Sequence, residues 1–280
     1  PSAQQGLAML DLFAIGISLV LVLLVVIRYT RYRSHPWDIY YPKLAWLRAG
    51  IYFCCCYLLS WWTGAMELLV TSPIATAEQL ADKGWLLFTA GVYLFILVAY
   101  SGVWSYFTPV FERKSNRLAS AAFGFLWGSS SGQLFLSIWL LVGRLGMPEW
   151  GTWIVTFLIL GAWQPNWHNI YWDHYIAPEH DTPMTQKIKA LGCHIPNLAI
   201  GLTHLTLYDS YFVFVSAQVI ACVSAALGMR YPAPWVAPSA LDYAHRTDAK
   251  PPRCTGYIPQ DPLTDKYTPF YPGLRGPDRQ

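Results

Sequence analysis

Charge is scarce in this sequence. Only 12% of its 280 residues are Asp, Glu, Lys or Arg, where a soluble domain carries roughly 25%. The net charge is +3, and the basic residues form no single patch, so nucleic acid is not an expected partner. Six cysteines are present, but none forms a CxxC, CxxCH or finger-like spacing. Covalent haem attachment and a structural zinc site therefore lack support. Cys54, Cys55 and Cys56 stand together in an apolar run and read as small, soft packing residues. A glycine loop for phosphate and a GxSxG elbow are both missing. HExxH is missing too, as are the HxxxH and HxxHH boxes of membrane desaturases and hydroxylases. No lysine in the apolar runs suits a retinal Schiff base. PSAQQG offers no basic stretch before the first apolar run, so a cleavable signal peptide is not expected.

What replaces charge is apolar length. Hydrophobic residues make up 54% of the chain, which has 14 Trp, and mean hydropathy is +0.30. A spanning helix needs about 20 mostly apolar residues. Runs that qualify lie at 10–27, 49–70, 85–107 and 118–142. A shorter one lies at 150–163, and a long one at 195–227. The last is either one tilted helix or two short spans broken near Tyr208, Asp209 and Ser210. The expected fold is an all-α, polytopic transmembrane helix bundle with six or seven spans.

Basic residues between the runs set the orientation. Arg28, Arg31, Arg33 and Lys43 occupy the first connection, and Arg113, Lys114 and Arg117 the third. The second has only Lys83 and the fourth only Arg144. The N-terminus is therefore expected outside, with the odd connections cytoplasmic. Residues 1–230 form the membrane domain, and 231–280 form an extended, Pro- and Tyr-rich tail. Disordered segments are poor in aromatics, so this tail reads as a strap on the bundle or on partner membrane subunits. The lipid bilayer is the other expected partner.

The chemistry concentrates in an interfacial segment at 165–194, above all in HNIYWDHYIAPEHDTP. Metal ligands are expected from His168, His174, His180 and Glu179, because imidazole with carboxylate suits transition metals. Proton transfer or orientation of a ligand imidazole falls to Asp173, Glu179 and Asp181. Pro165 and Pro178 bracket a possible helical piece at 166–176. The bland alternative is an interfacial loop in which Trp, Tyr and His sit at headgroup level.

A second pattern lies downstream. With Pro196–Gly228 treated as helical and extended back to His194, His194, Asn197, Gly201, His204, Tyr208, Tyr211 and Gln218 fall on one stripe. Lipid cannot satisfy such a stripe, so it must face the bundle interior or a cavity. His194, His204 and Tyr208 are the cofactor-binding candidates, and either histidine would complete a metal sphere. Glu67 is the one acid well inside an early span, a relay candidate or a hydrogen-bonded acid. Trp61 with Trp62, and the aromatics at 104–107, are expected at interfaces. Ser129, Ser130, Ser131 and Gly132 form a small face for close packing.

Two functions fit. One is a membrane metal-dependent oxidoreductase, with iron or copper acting on a lipophilic or small apolar substrate. The other is a non-catalytic subunit of a membrane complex, holding haem or a chlorophyll-type pigment on isolated histidines.

Overall fold

The computed structural model describes residues 14–23, 42–107, 116–171 and 183–228, together with Tyr231, Ala233 and Trp235. Helices make up nearly all of it, and no strand occurs among the described residues. In chain order these are α1 (Ala14–Leu23), α2 (Pro42–Thr63), α3 (Ala65–Thr71) and α4 (Ala77–Ala81). Next come α5 (Lys83–Trp104), α6 (Arg117–Gly143) and α7 (Glu149–Tyr171). A helical run follows, made of α8 (Pro183–Lys189), a π turn (Ala190–His194) and α9 (Ile195–Tyr208). Last is α10 (Tyr211–Gly228).

Local chemistry sets several ends. Thr76 accepts from the Gln79 backbone N–H at 3.1 Å while Gln79 Oε1 accepts from Thr76 N–H at 2.8 Å, a reciprocal cap on α4. Asp82 caps α5 through Gly84 N–H, and Asn116 caps α6 through Ala119 N–H. At Gly64 the backbone turns left-handed (φ 79°), a conformation that glycine adopts without a Cβ clash. There α2 and α3 bend by 75°.

Three helices are long and apolar enough to cross a membrane among the described residues: α5, α6 and α10. The bent pair α2 and α3 makes a fourth if it is one span. That is fewer than the six or seven read from the sequence. Polar residues account for part of the difference. The second half of α7 carries Gln164, Asn166, His168 and Asn169. Of the two readings of 195–227, the structure has the one broken near Tyr208, Asp209 and Ser210. Asp209 adopts a left-handed conformation (φ 49°) and splits it into α9 and α10. The run at 150–163, short unless it continues into the His-rich motif, does continue: α7 passes through Pro165 to Tyr171. The proposed helix at 166–176 is thus the end of α7, and its remainder lies outside the described residues.

The tightest seam joins α6 to α10. A Cβ on Gly128 would lie 2.5 Å from Val219 Cα and 2.7 Å from the Gln218 carbonyl oxygen. One on Gly124 would meet the Cys222 carbonyl and Val223 Cα at 2.7 Å. At Gly132 it would come within 3.1 Å of Val215 Cα. Glycine every fourth residue lets the two backbones touch, the standard device where lipid offers no hydrophobic drive between helices. The serines expected to supply this close face do something else: Ser131 and Ser129 hydrogen-bond Tyr52 and Tyr57 of α2, each at 3.0 Å. Gln133 pairs with Ser60 of the same helix.

The start of the tail returns to the bundle. Tyr231 stacks on Phe123 at 4.7 Å, and its carbonyl accepts from Ser120 at 2.7 Å. Trp235 lies 5.8 Å from the same ring. Residues 236–280 lie outside the described residues. Of the two aromatic groups expected at interfaces, Trp61 is exposed but Trp104 is fully buried, because it packs against the π turn.

Gly128→Ala tests the seam. A methyl there meets backbone rather than a movable side chain, so overpacking should cost about 1–3 kcal/mol. The thermal midpoint in detergent should fall, while Gly91→Ala, with nothing within 4 Å, should leave it unchanged. Equal midpoints would show that the two helices do not touch at Gly128.

Candidate functional site

Along α5, the polar or half-polar residues Trp85, Thr89, Tyr93 and Tyr100 recur at steps of four, four and seven. Those steps hold one face of a helix. Opposite them stand α9 and α10, and each residue finds a partner. Trp85 donates to Ser210 Oγ at 2.8 Å. Thr89 Oγ1 is 2.8 Å from His204 Nε2. Tyr93 and Ser216 hydroxyls are 2.7 Å apart. Gln79 braces the end near Ser210, donating to the Tyr208 carbonyl at 2.7 Å.

The densest part surrounds Tyr100. Asn197 Nδ2 donates to its hydroxyl at 3.1 Å, and the Gln164 side chain also hydrogen-bonds it. Two acceptances leave the phenol proton for His194 Nδ1, 3.5 Å away. Asn197 and Gln218 form a reciprocal amide pair at 3.1 and 3.3 Å. Five side chains from four elements thus meet in one buried cluster. Beside it, Trp104 packs 4.9 Å from the His194 ring and 5.0 Å from Lys189 Nζ. Two π turns face each other here, Val98–Trp104 and Ala190–His194, and Cys193 Sγ donates to the Ala99 carbonyl across them at 3.3 Å. Such turns are frequent at functional sites.

The expected stripe is therefore buried, but its geometry differs. His194, Asn197, His204 and Gln218 are all at most 5% exposed. Gln218 does not continue the stripe along one helix, where 21 residues would put it about 31 Å from Asn197. It meets Asn197 because the chain reverses at Asp209. Tyr211, just past that reversal, is only partly buried.

His194 and His204 do not share a site. Ten residues of helix separate them by about 15 Å, against ligand bonds of about 2.0–2.3 Å to a single ion. His204 packs instead among Phe88 and Tyr208, each ring 5.2 Å away. Its Nδ1 has no hydrogen-bond partner among the described residues. It also stands 21 residues, about 31 Å of helix, beyond Pro183. The candidate ligands between Asp173 and Asp181 lie outside the described residues, so the distance from His204 to them is not part of the described structure.

Asp173, His174, Glu179, His180 and Asp181 lie outside the described residues. The backbone of His168 lies on α7, four residues beyond Gln164. Among the described residues no group of three or more His, Cys, Asp or Glu could hold a metal ion. On another face of α7, Ile159, Ala162 and Trp163 line an apolar cavity of about 510 Å³. Leu21 and Val22 of α1 and Leu134 and Ile138 of α6 form its other walls. The sequence reading missed the α5 stripe, although a fourfold spacing of Trp, Thr and Tyr in an apolar helix was available as a signal.

A double-mutant cycle tests the amide pair. Asn197→Leu and Gln218→Leu each strand one buried amide, so the double variant should be more stable than the sum of single losses predicts. The expected coupling is about 0.6–2 kcal/mol in detergent unfolding. Strict additivity would mean that the two amides do not interact.

No protein-family model matches the chain, and neither the curated proteins nor the solved structures include one that is similar to it.

Proposed function

We propose that the chain is a seven-pass membrane protein that works as a metal-dependent oxidoreductase on a lipophilic or small apolar substrate. The observation that carries this reading is the apolar cavity on α7. Its wall includes Trp163, and His168 follows five residues later on the same helix, about 7.5 Å along the axis. A cavity of that size suits a small apolar molecule, and the helix that lines it continues in sequence into the one segment rich in metal-ligating groups.

The apolar run 10–27 that contains α1 and two further passes bring the count to seven. At 1.5 Å per residue, α7 is about 35 Å long and the run 183–208 about 39 Å, against a hydrocarbon core of about 30 Å. Thr152, Thr156 and Gln164 of α7 and Asn197 and His204 of the run are buried, which is how a helix too polar for lipid crosses it. Orientation follows the basic connections: N-terminus outside, His-rich segment on the cytoplasmic side.

The metal, iron or copper, is assigned to His168, His174, Glu179 and His180, with Asp173 and Asp181 orienting ligands or moving protons. Such a metal with an open position supplies oxygen activation. The non-catalytic haem or pigment subunit is the weaker reading. An axial ligand needs its ring nitrogen open to a flat macrocycle, whereas Trp104 closes on His194 and Phe88 and Tyr208 close on His204.

Elemental analysis and an absorption spectrum of the purified native protein test the assignment. Stoichiometric iron or copper, lost in His174→Ala/His180→Ala at an unchanged thermal midpoint, is the expected result. A Soret or chlorophyll-like band that survives those substitutions would favour the pigment subunit. Neither metal nor pigment in a folded preparation would sink both.

A further inference from the structure

Two π turns, Val98–Trp104 and Ala190–His194, put the Tyr100 hydroxyl 3.5 Å from His194 Nδ1. The groups around that pair set which way its proton faces. A phenol oxygen accepts two hydrogen bonds and donates one. Asn197 Nδ2, at 3.1 Å, and the Gln164 side chain take the two acceptor places. Asn197 is itself held by the amide pair with Gln218. The remaining bond is the donated one, and it runs to an imidazole nitrogen, which can keep a proton. Tyr52, Tyr57 and Tyr93 are built differently. Their hydroxyls face those of Ser131, Ser129 and Ser216, and a serine hydroxyl is no base.

The pair is also sealed. Tyr100 is 2% exposed and Trp104 0%. The Trp104 ring lies 6.1 Å from the Tyr100 ring and 4.9 Å from that of His194. Solvent barely touches the phenol, so a reactive species formed there outlives one at an exposed ring. An electron, unlike a molecule, crosses such a wall. Gln164, which contacts Tyr100, stands on α7 one turn before His168, about 6 Å along the axis. The phenol therefore lies beside the helix that carries the backbone of the first candidate metal ligand.

We propose that Tyr100 is a redox-active tyrosine, the one-electron donor to an oxidised iron or copper centre, with His194 as the base that receives its proton. In this step the Tyr100 O–H bond breaks. The electron passes to the metal, which is reduced by one unit. The proton forms an Nδ1–H bond on His194. The products are a neutral phenoxyl radical and an imidazolium. Asn197 and Gln164 keep their N–H groups on the phenoxyl oxygen, so neither amide has to move. Lys189 Nζ, 5.0 Å from the centre of the Trp104 ring, interacts electrostatically with His194. Its like charge opposes the imidazolium, so the proton returns when an electron refills the radical. The identity of the natural oxidant rests on the metal reading above, whereas the Tyr100–His194 pair does not.

The test therefore supplies its own oxidant. The purified full chain in detergent, treated with chelator, is illuminated with tris(bipyridine)ruthenium and persulfate, frozen, and read by electron paramagnetic resonance. A tyrosyl signal is expected in the wild type and should be lost in Tyr100→Phe. Tyr52→Phe, at an equally buried ring, should keep it. His194→Gln fills similar space without a base and should lose the signal although Tyr100 is still present. 3-Fluorotyrosine at position 100 covers a variant that fails to fold, because it keeps the phenol and should split the signal by coupling to fluorine. A signal that persists in Tyr100→Phe, or that lacks the fluorine splitting, would place the radical elsewhere and overturn the proposal. So would a signal unchanged in His194→Gln, or no tyrosyl signal at all. Because the oxidant is added, a failure here leaves the metal assignment to its own elemental test, and a failure of that assignment leaves this result standing.

Discussion

Two backbones touch where α6 meets α10, and the positions of the polar groups follow from that contact. Glycines at 124, 128 and 132 remove the side chains that would hold the helices apart. The approach fixes the height and rotation of α10. Gln218, whose carbonyl sits against Gly128, is thereby aimed away from α6. It meets Asn197 on α9, and Asn197 in turn reaches Tyr100. A packing contact of small residues thus sets the register of a hydrogen-bonded chain that it does not belong to.

That chain answers a second constraint. A hydrocarbon environment offers no donors or acceptors, so every polar side chain at membrane depth needs a protein partner. The α5 stripe, α9 and α10 supply them pair by pair, from Gln79 and Ser210 at one end to Tyr100 and His194 at the other. Hydropathy alone undervalues helices built this way. Their polarity is spent on neighbours, so composition describes how they would meet lipid rather than how they meet each other.

Much of this was legible in the sequence, for identifiable reasons. Apolar runs announce helices whatever their neighbours, and the inward stripe of His194, Asn197 and His204 follows from helical period alone. The break near Asp209 is one of two readings of the sequence, and nothing local decides between them. Tyr208, Asp209 and Ser210 supply no glycine or proline, and Asp209 holds its left-handed turn in a setting where Gln79 takes the neighbouring carbonyl, a contact 129 residues away. The glycine repeat in α6 hid beside a more conspicuous run of serines. Trp104 reads as an interfacial ring until the π turn it packs against is known. In each case the missing information was the identity of the facing helix, which no local pattern encodes.

Successive residues on α7 show how closely the two environments adjoin. Trp163 lines the apolar cavity, while Gln164, turned about 100° around the axis, hydrogen-bonds Tyr100 in the polar cluster. One helix is therefore the wall between a dry space and a hydrogen-bonded one, and it ends in the His-rich segment. A wall one helix thick cannot move on one face without moving the other, because interiors are close-packed. Filling the cavity by rotating or shifting α7 would pull on Gln164 and so on Tyr100 and His194. The same displacement would carry the backbone of His168 with it, since that residue is only one helical turn farther along. A shift of α7 that filled the apolar cavity would therefore be felt at the polar cluster through the same helix.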